Sequence, residues 1–148
     1  MPLKIIDLEQ IEKSQWFALW QEYLKFYQSA ISDEVSEHTW QRLTQLNSQM
    51  YGFAAVLEDK VVGIVHMIEH DSCWTVRPYA YLQDLFIDPN YRRQGIANHL
   101  IQHVYGIAKQ RNCDRVYWLA QQDNHTARRL YDRVAKPTGF VQYRMSSY

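Results

Sequence analysis

YLQDLFIDPNYRRQGIANHLI, residues 81–101, changes its hydrophobic period partway along. Up to Ile87 it reads as an apolar strand of a sheet interior, and "DPN" is a turn signal with proline. Beyond it Ala97, Leu100, Ile101, Val104 and Ala108 form one apolar stripe, so a helix is expected to about Arg111. Gly95 and Ala97 stand where that helix begins. Glycine costs a helix interior about 0.8–1 kcal/mol relative to alanine, so something approaching the backbone should offset it. A helix N-terminus offers unpaired N–H groups and partial positive charge, which suit phosphate. Gly95 and Ala97 leave room for it, and Arg92 and Arg93 add charge. No Gly-Lys-Ser/Thr follows, as a P-loop requires, and G-x-G-x-x-G is absent. On these residues alone, anion binding and an ordinary helix start with a turn glycine both stay open.

Working outward, "LKIID" reads as a first strand and "KSQWFALWQEYLKFYQSA" as a helix carrying Trp16, Phe17, Leu19, Trp20, Tyr23, Leu24 and Tyr27. "SEHTWQRLTQL" reads as a second helix. "YGFAAVLED" and "KVVGIVHMIEH" read as a hairpin around Asp59-Lys60. After the helix at residue 96 come a strand in "RVYWLA", a helix in "NHTARRLYDRV" and a closing strand in "GFVQYRM". The class is α/β, with helices over a sheet that is parallel around the "YLQDLFI"–helix–"RVYWLA" crossover. No repeat or linker divides residues 1–148, so a single domain is expected.

Lysine plus arginine and aspartate plus glutamate both number 16, giving zero formal charge. Nucleic-acid binders usually carry a basic excess, so that class is disfavoured, while low net charge permits self-association. Cys73 and Cys113 form no ligand-spaced motif and are expected to be reduced. No apolar run nears the roughly 20 residues that span a membrane, and the N-terminus lacks a signal-type apolar core. A cytoplasmic location is expected, with no membrane partner.

"RRQGIA" fits the Arg/Gln-x-x-Gly-x-Gly/Ala signature of the GNAT superfamily of acetyl-CoA-dependent N-acetyltransferases. "NHTARRLYDRVAKPTGFVQYRM" resembles that family's later asparagine, helix and final strands. Two ordered motifs about 30 residues apart within the expected strand/helix order carry the resemblance, over roughly residues 79–145. "LWQEYLKFYQ" and "TWQRL" are similar to the branch of yeast histone- and polyamine-acetylating enzymes and spermidine/spermine-type relatives. The resemblance implies the GNAT fold, a mixed sheet of about six to seven strands flanked by about four helices. It implies acetyl-CoA as co-substrate, its pyrophosphate on the backbone of Arg93, Gln94, Gly95, Ile96, Ala97 and Asn98 beside Arg92. It also implies that the pantetheine arm pairs along Leu85, Phe86 and Ile87, with Asn124 hydrogen-bonding it. Read from residues alone, Asn124 is equally a plain N-cap.

Acetyl transfer needs a neutral attacking amine, a donor to the developing oxyanion and a proton for the leaving thiolate. The resemblance gives the oxyanion donor to a backbone N–H near Phe86 or Ile87 and the thiolate's proton to Tyr131, without a metal. Tyr131 also belongs to a helical core stripe with Ala127, Leu130 and Val134. Spermidine/spermine-type relatives place a glutamate where this chain has Gln83, and an amide is no base. Gln83 is then expected to orient substrate. The base stays open among Asp84, which alternation sends to the other sheet face unless a bulge intervenes, His66, His70, Glu22 and a water chain. Trp16, Trp20, Tyr23 and Tyr27 are expected to divide between core and acceptor-site wall. Trp74 is a candidate for the site's mouth or a dimer contact, and Asp33, Glu34 and Glu37 for an acidic mouth suited to polyamines. "RRLYDR" reads as a solvated helix face rather than a nucleic-acid patch. The acceptor classes implied are a polyamine, a lysine side chain in a protein or peptide, or a small amino compound. A homodimer is expected by family analogy, and the rival function is a non-catalytic acyl-CoA-binding sensor.

Overall fold

Residues 50–70 fold as two long antiparallel strands, β2 (Met50–Leu57) and β3 (Lys60–His70), because apolar residues run through both and β-branched ones dominate β3. Their two-residue turn is Glu58-Asp59, both with positive φ, the backbone a tight hairpin needs. Around them the computed structural model, which describes residues 2–147, sets β1 (Lys4–Asp7), β4 (Tyr79–Ile87) and β5 (Arg115–Tyr117) in the order β1-β2-β3-β4-β5. All neighbours are antiparallel except β4 and β5, which are parallel as the crossover predicts. The helices are α1 (Lys13–Phe26), α2 (Asp33–Thr44), α3 (Ile96–Gln110) and α4 (His125–Val134).

The chain forms two compact units, one through Trp118 holding the sheet and α1–α3, the other from Leu119 holding α4. In the first, Trp16, Leu19, Trp20 and Leu24 of α1 and Leu43 of α2 share a buried core with Ala54, Ile64 and Phe86. Helix α3 buries Leu100, Ile101, Val104 and Ala108. Helix α1 ends at Phe26, earlier than its sequence pattern, because Gln28 turns left-handed and Ser29 N–H bonds back to Leu24 C=O.

Among the described residues the sheet has five strands, not six to seven. "RVYWLA" pairs only through Tyr117, because the β4–β5 ladder ends at Tyr81↔Tyr117, just before β4 breaks register with β3. "GFVQYRM" forms no strand. Its alternation provides a ribbon with an apolar side, but a ribbon becomes a strand only against a paired edge. Phe140, Val141, Tyr143 and Met145 are all exposed.

On α3, His103 packs edge-on against the Phe53 ring at 4.7 Å, and its Nε2 is buried with no partner among the described residues. Burial holds this imidazole below its ordinary value of 6.5, against an opposing pull from Asp7. The unfolded chain therefore takes this proton first, and stability is lost as pH falls below about 6.5. Urea unfolding at pH 7.5 and 5.5 should show a loss in the wild type that His103→Leu reduces; equal losses would contradict it.

Candidate active site

Strand β4 carries one residue more than β3 can pair. His66 faces Asp84 and Met67 faces Leu82, so Gln83 is the extra residue of a β-bulge. Strict alternation would put Gln83 and Asp84 on opposite faces, and the bulge corrects that expectation by bringing both into one cleft. The cleft has a volume of about 440 Å³, within the range of small-molecule sites. Trp20 and Tyr23 of α1, with Tyr27 just past its end, face His66, Gln83 and Asp84 of the sheet across it. Of the aromatics, Trp16 is fully buried, while Trp20, Tyr23 and Tyr27 line the cleft.

A directed chain of hydrogen bonds fixes Asp84. The Trp16 indole Nε1–H donates to His66 Nε2 at 3.0 Å. An indole only donates, so Nε2 is an acceptor and the imidazole proton sits on Nδ1. From there it is donated to Asp84 Oδ2 at 2.9 Å, while the Tyr23 hydroxyl donates to Oδ1 at 2.8 Å. Burial, then the neighbouring Asp84 charge, pushes the Tyr23 phenol well above its ordinary value, which keeps it a donor. The same two causes raise Tyr27. The lone pair of His66 is committed to Trp16, so His66 orients Asp84 and has none to offer an incoming amine. Asp84, at 17% side-chain exposure, is the one carboxylate among the residues that line the cleft.

Beyond the bulge, β5 pairs only with residues 79–81, so the edge of β4 at Leu85, Phe86 and Ile87 facing away from β3 has no ladder partner among the described residues. An extended ligand arm can add there as a strand does. The next turn is closed by Asp88 accepting from Asn90 N–H. Arg93 (φ 65) and Gly95 (φ 76) then turn left-handed into α3, with no side-chain cap. The first α3 amide bond runs from His99 N–H to Gly95 C=O, so the N–H groups of Ile96, Ala97 and Asn98 precede it and take no carbonyl within the helix. A Cβ built on Gly95 would meet nothing within 4 Å, which leaves the approach clear. These features fit coenzyme A, an anionic pyrophosphate with an extended amide arm. Arg93 and Gln94 are exposed, whereas Arg92 folds back, its Nε donating to Ile87 C=O at 3.3 Å with the guanidinium over Phe86.

Other sequence candidates fall elsewhere. Glu22 is exposed and does not line the cleft, bordering instead a separate hollow with Gln21 and Lys25. His70 is taken up by Tyr117, hydroxyl to Nε2 at 2.7 Å, at the far end of β3. Asp33, Glu34 and Glu37 do not line the cleft, and Glu37 pairs with Lys13 at 2.8 Å. Trp74 is 85% exposed in the β3–β4 loop. On the second unit, Asn124 is the N-cap of α4, accepting from Ala127 N–H, and Tyr131 lies on that helix's less exposed face with Leu130 and Val134. Arg42, which the sequence reading did not single out, does line the cleft.

The acetyltransferase (GNAT) family model matches residues 6–135. A D-amino-acid N-acetyltransferase of Saccharomyces cerevisiae is 29% identical over 143 residues, 95% of this chain and 89% of its own. A thialysine N-epsilon-acetyltransferase of Caenorhabditis elegans is 30% identical over 104 residues, covering 67% and 64%. An aminoglycoside acetyltransferase from an uncultured soil metagenomic sample, solved with trehalose, superposes with TM-score 0.77 at 29% identity, covering 99% and 95%. An aminoglycoside N-acetyltransferase in complex with CoA shares the fold, with TM-score 0.86 at 16% identity over 99% and 96%. The chain belongs to the acetyltransferase (GNAT) family. It is an acetyl-CoA-dependent N-acetyltransferase.

The hydrogen-bond directions predict that ¹⁵N NMR will find His66 protonated at Nδ1 and bare at Nε2. An Nε2–H tautomer would contradict the network.

Proposed function

We propose that the chain moves the acetyl group of acetyl-CoA directly to a primary amine held in the cleft at Asp84, both substrates being bound together. The observation that carries this reading is the bulge, which places a hydrogen-bonded carboxylate in the cleft immediately before the open edge of β4. Acetyl-CoA supplies the acetyl group as a thioester. The backbone from Arg93 to Asn98 holds its pyrophosphate, with Arg92 nearby, and Leu85–Ile87 and Asn124 hold the pantetheine arm. The backbone N–H near Phe86 or Ile87 faces the developing oxyanion.

An ammonium acceptor loses one proton before its nitrogen attacks and a second as the C–N bond forms. Asp84 receives protons in the cleft, directly or through water, and passes them to solvent. Gln83, beside it, orients the acceptor by hydrogen bonding. As the C–S bond breaks, Tyr131 protonates the departing sulfur. The named relatives act on a D-amino acid, thialysine and aminoglycosides, so the acceptor is drawn from small amino compounds, polyamines and lysine-type side chains. The sensor alternative rested on Gln83 standing where relatives carry an acid, and Asp84 fills that lack. The chain is read as one GNAT domain acting in the cytoplasm; among the described residues no helix is long and apolar enough to cross a membrane.

Release of CoA thiol from acetyl-CoA with a panel of amines tests the reading. Asp84→Asn should lower kcat by about 10²- to 10⁴-fold with CoA affinity and circular dichroism unchanged, and Tyr131→Phe should also slow release. Intact CoA binding without turnover of any amine would point to the sensor instead.

A homodimer is proposed as well, supported by exposed Trp74 and Val76 in the loop between β3 and β4. Sedimentation at micromolar concentration should show twice the chain mass; a clean monomer would remove the proposal.

A further inference from the structure

We propose that the acceptor is an amine that also carries a carboxylate, an amino-acid-type zwitterion, and that Arg42 selects it. The inference rests on the cleft at Asp84 being the acceptor site. Two side chains lining that cleft carry formal charge, Asp84 and Arg42, since His66 is held neutral between Trp16 and Asp84. Arg42 lies in the last turn of α2, exposed, with neither an ion pair nor a hydrogen bond among the described residues. Four other cations of the chain are engaged by contrast: Arg111 with Glu69, Lys13 with Glu37, Arg92 with Ile87 C=O, Arg128 with Gln122 C=O.

A free guanidinium offers a planar fork of donors that matches a carboxylate and pairs with it in two parallel bonds. With Asp84 receiving the ammonium and Arg42 the carboxylate, a zwitterion leaves neither charge of the cleft unpaired. A polyamine or aminoglycoside brings several positive charges to a cleft with one carboxylate, and the guanidinium repels the surplus. The acidic residues at the start of α2 do not relieve this, because none of them lines the cleft. Leu24, Ile31, Met50 and Ile68 supply apolar lining beside the hydroxyls of Ser29 and Thr39, so an apolar side chain on the acceptor would be covered.

The test compares amino acids of both chiralities having apolar side chains with their carboxamides, which keep the amine and lose the negative charge. Spermidine and an aminoglycoside complete the panel. The free amino acid should exceed its carboxamide in kcat/KM by about 10- to 100-fold, the size of a lost charge-assisted hydrogen bond. Arg42→Gln should collapse that ratio toward one by raising KM for the free acid, and Arg42→Lys should restore part of it. A carboxamide, spermidine or the aminoglycoside used as well as the amino acid would overturn the inference, as would a ratio that Arg42→Gln leaves intact. If acid and carboxamide are used equally while Asp84→Asn abolishes both, the cleft still holds the acceptor and the carboxylate inference alone fails. No turnover of any acceptor would overturn both.

Discussion

Asp84 is a carboxylate on the inner side of a sheet, facing a helix whose contacts are mostly aromatic. Leaving such a group without donors costs about 1–3 kcal/mol or more, and its two hydrogen bonds tie three elements together. His66 reaches it from β3 and Tyr23 from α1, at 2.9 and 2.8 Å. Behind His66 stands Trp16, fully buried and stacked on Trp20 at 5.4 Å, whose own indole donates to Ser36 of α2 at 2.9 Å. Every link has a direction. Indoles donate, the imidazole relays and the carboxylate accepts, so the protonation of one buried ring sets the orientation of the carboxylate in the cleft.

The extra residue that turns Asp84 into the cleft also shapes the neighbouring edge. A bulge sharpens local twist, and β5 leaves β4 at Tyr81, the last pair before Gln83. The strand is thus interior in its first third and open where Leu85, Phe86 and Ile87 follow the carboxylate. Helix α3 packs tightly over this end. A Cβ on Gly63 would lie 2.8 Å from Ile87 Cδ1 and 3.3 Å from Leu100 Cδ1, so glycine there permits the close approach. Cleft carboxylate, open edge and uncapped amides therefore follow one another along 15 residues, from Asp84 to Asn98.

The strand–turn–helix was legible because each of its parts has a local cause. Apolar continuity, a proline turn, a glycine that can take positive φ and a new period appear in order. The face of Asp84 was not legible, since a bulge leaves no residue signature and shows only when β4 is laid against β3. The aromatics of α1 could be read as buried, but not the acceptors of Trp16 and Tyr23, which lie 50 and 61 residues away. Arg42 looked like any arginine on a solvated helix face. The alternation of "FVQYR" was visible, yet a strand is a relation between two segments, and the edge it would need is not written in its own residues.

The central claim is that Asp84 receives the acceptor's proton while the start of α3 holds coenzyme A. A crystal structure of the chain with a bisubstrate analogue, coenzyme A joined through a short linker to the nitrogen of an amino acid, tests it most directly. The account predicts the pyrophosphate on the amides of residues 95–98 and the acceptor nitrogen about 2.6–3.2 Å from the Asp84 carboxylate, or one water away. A nitrogen turned from Asp84 toward another titratable group would contradict it.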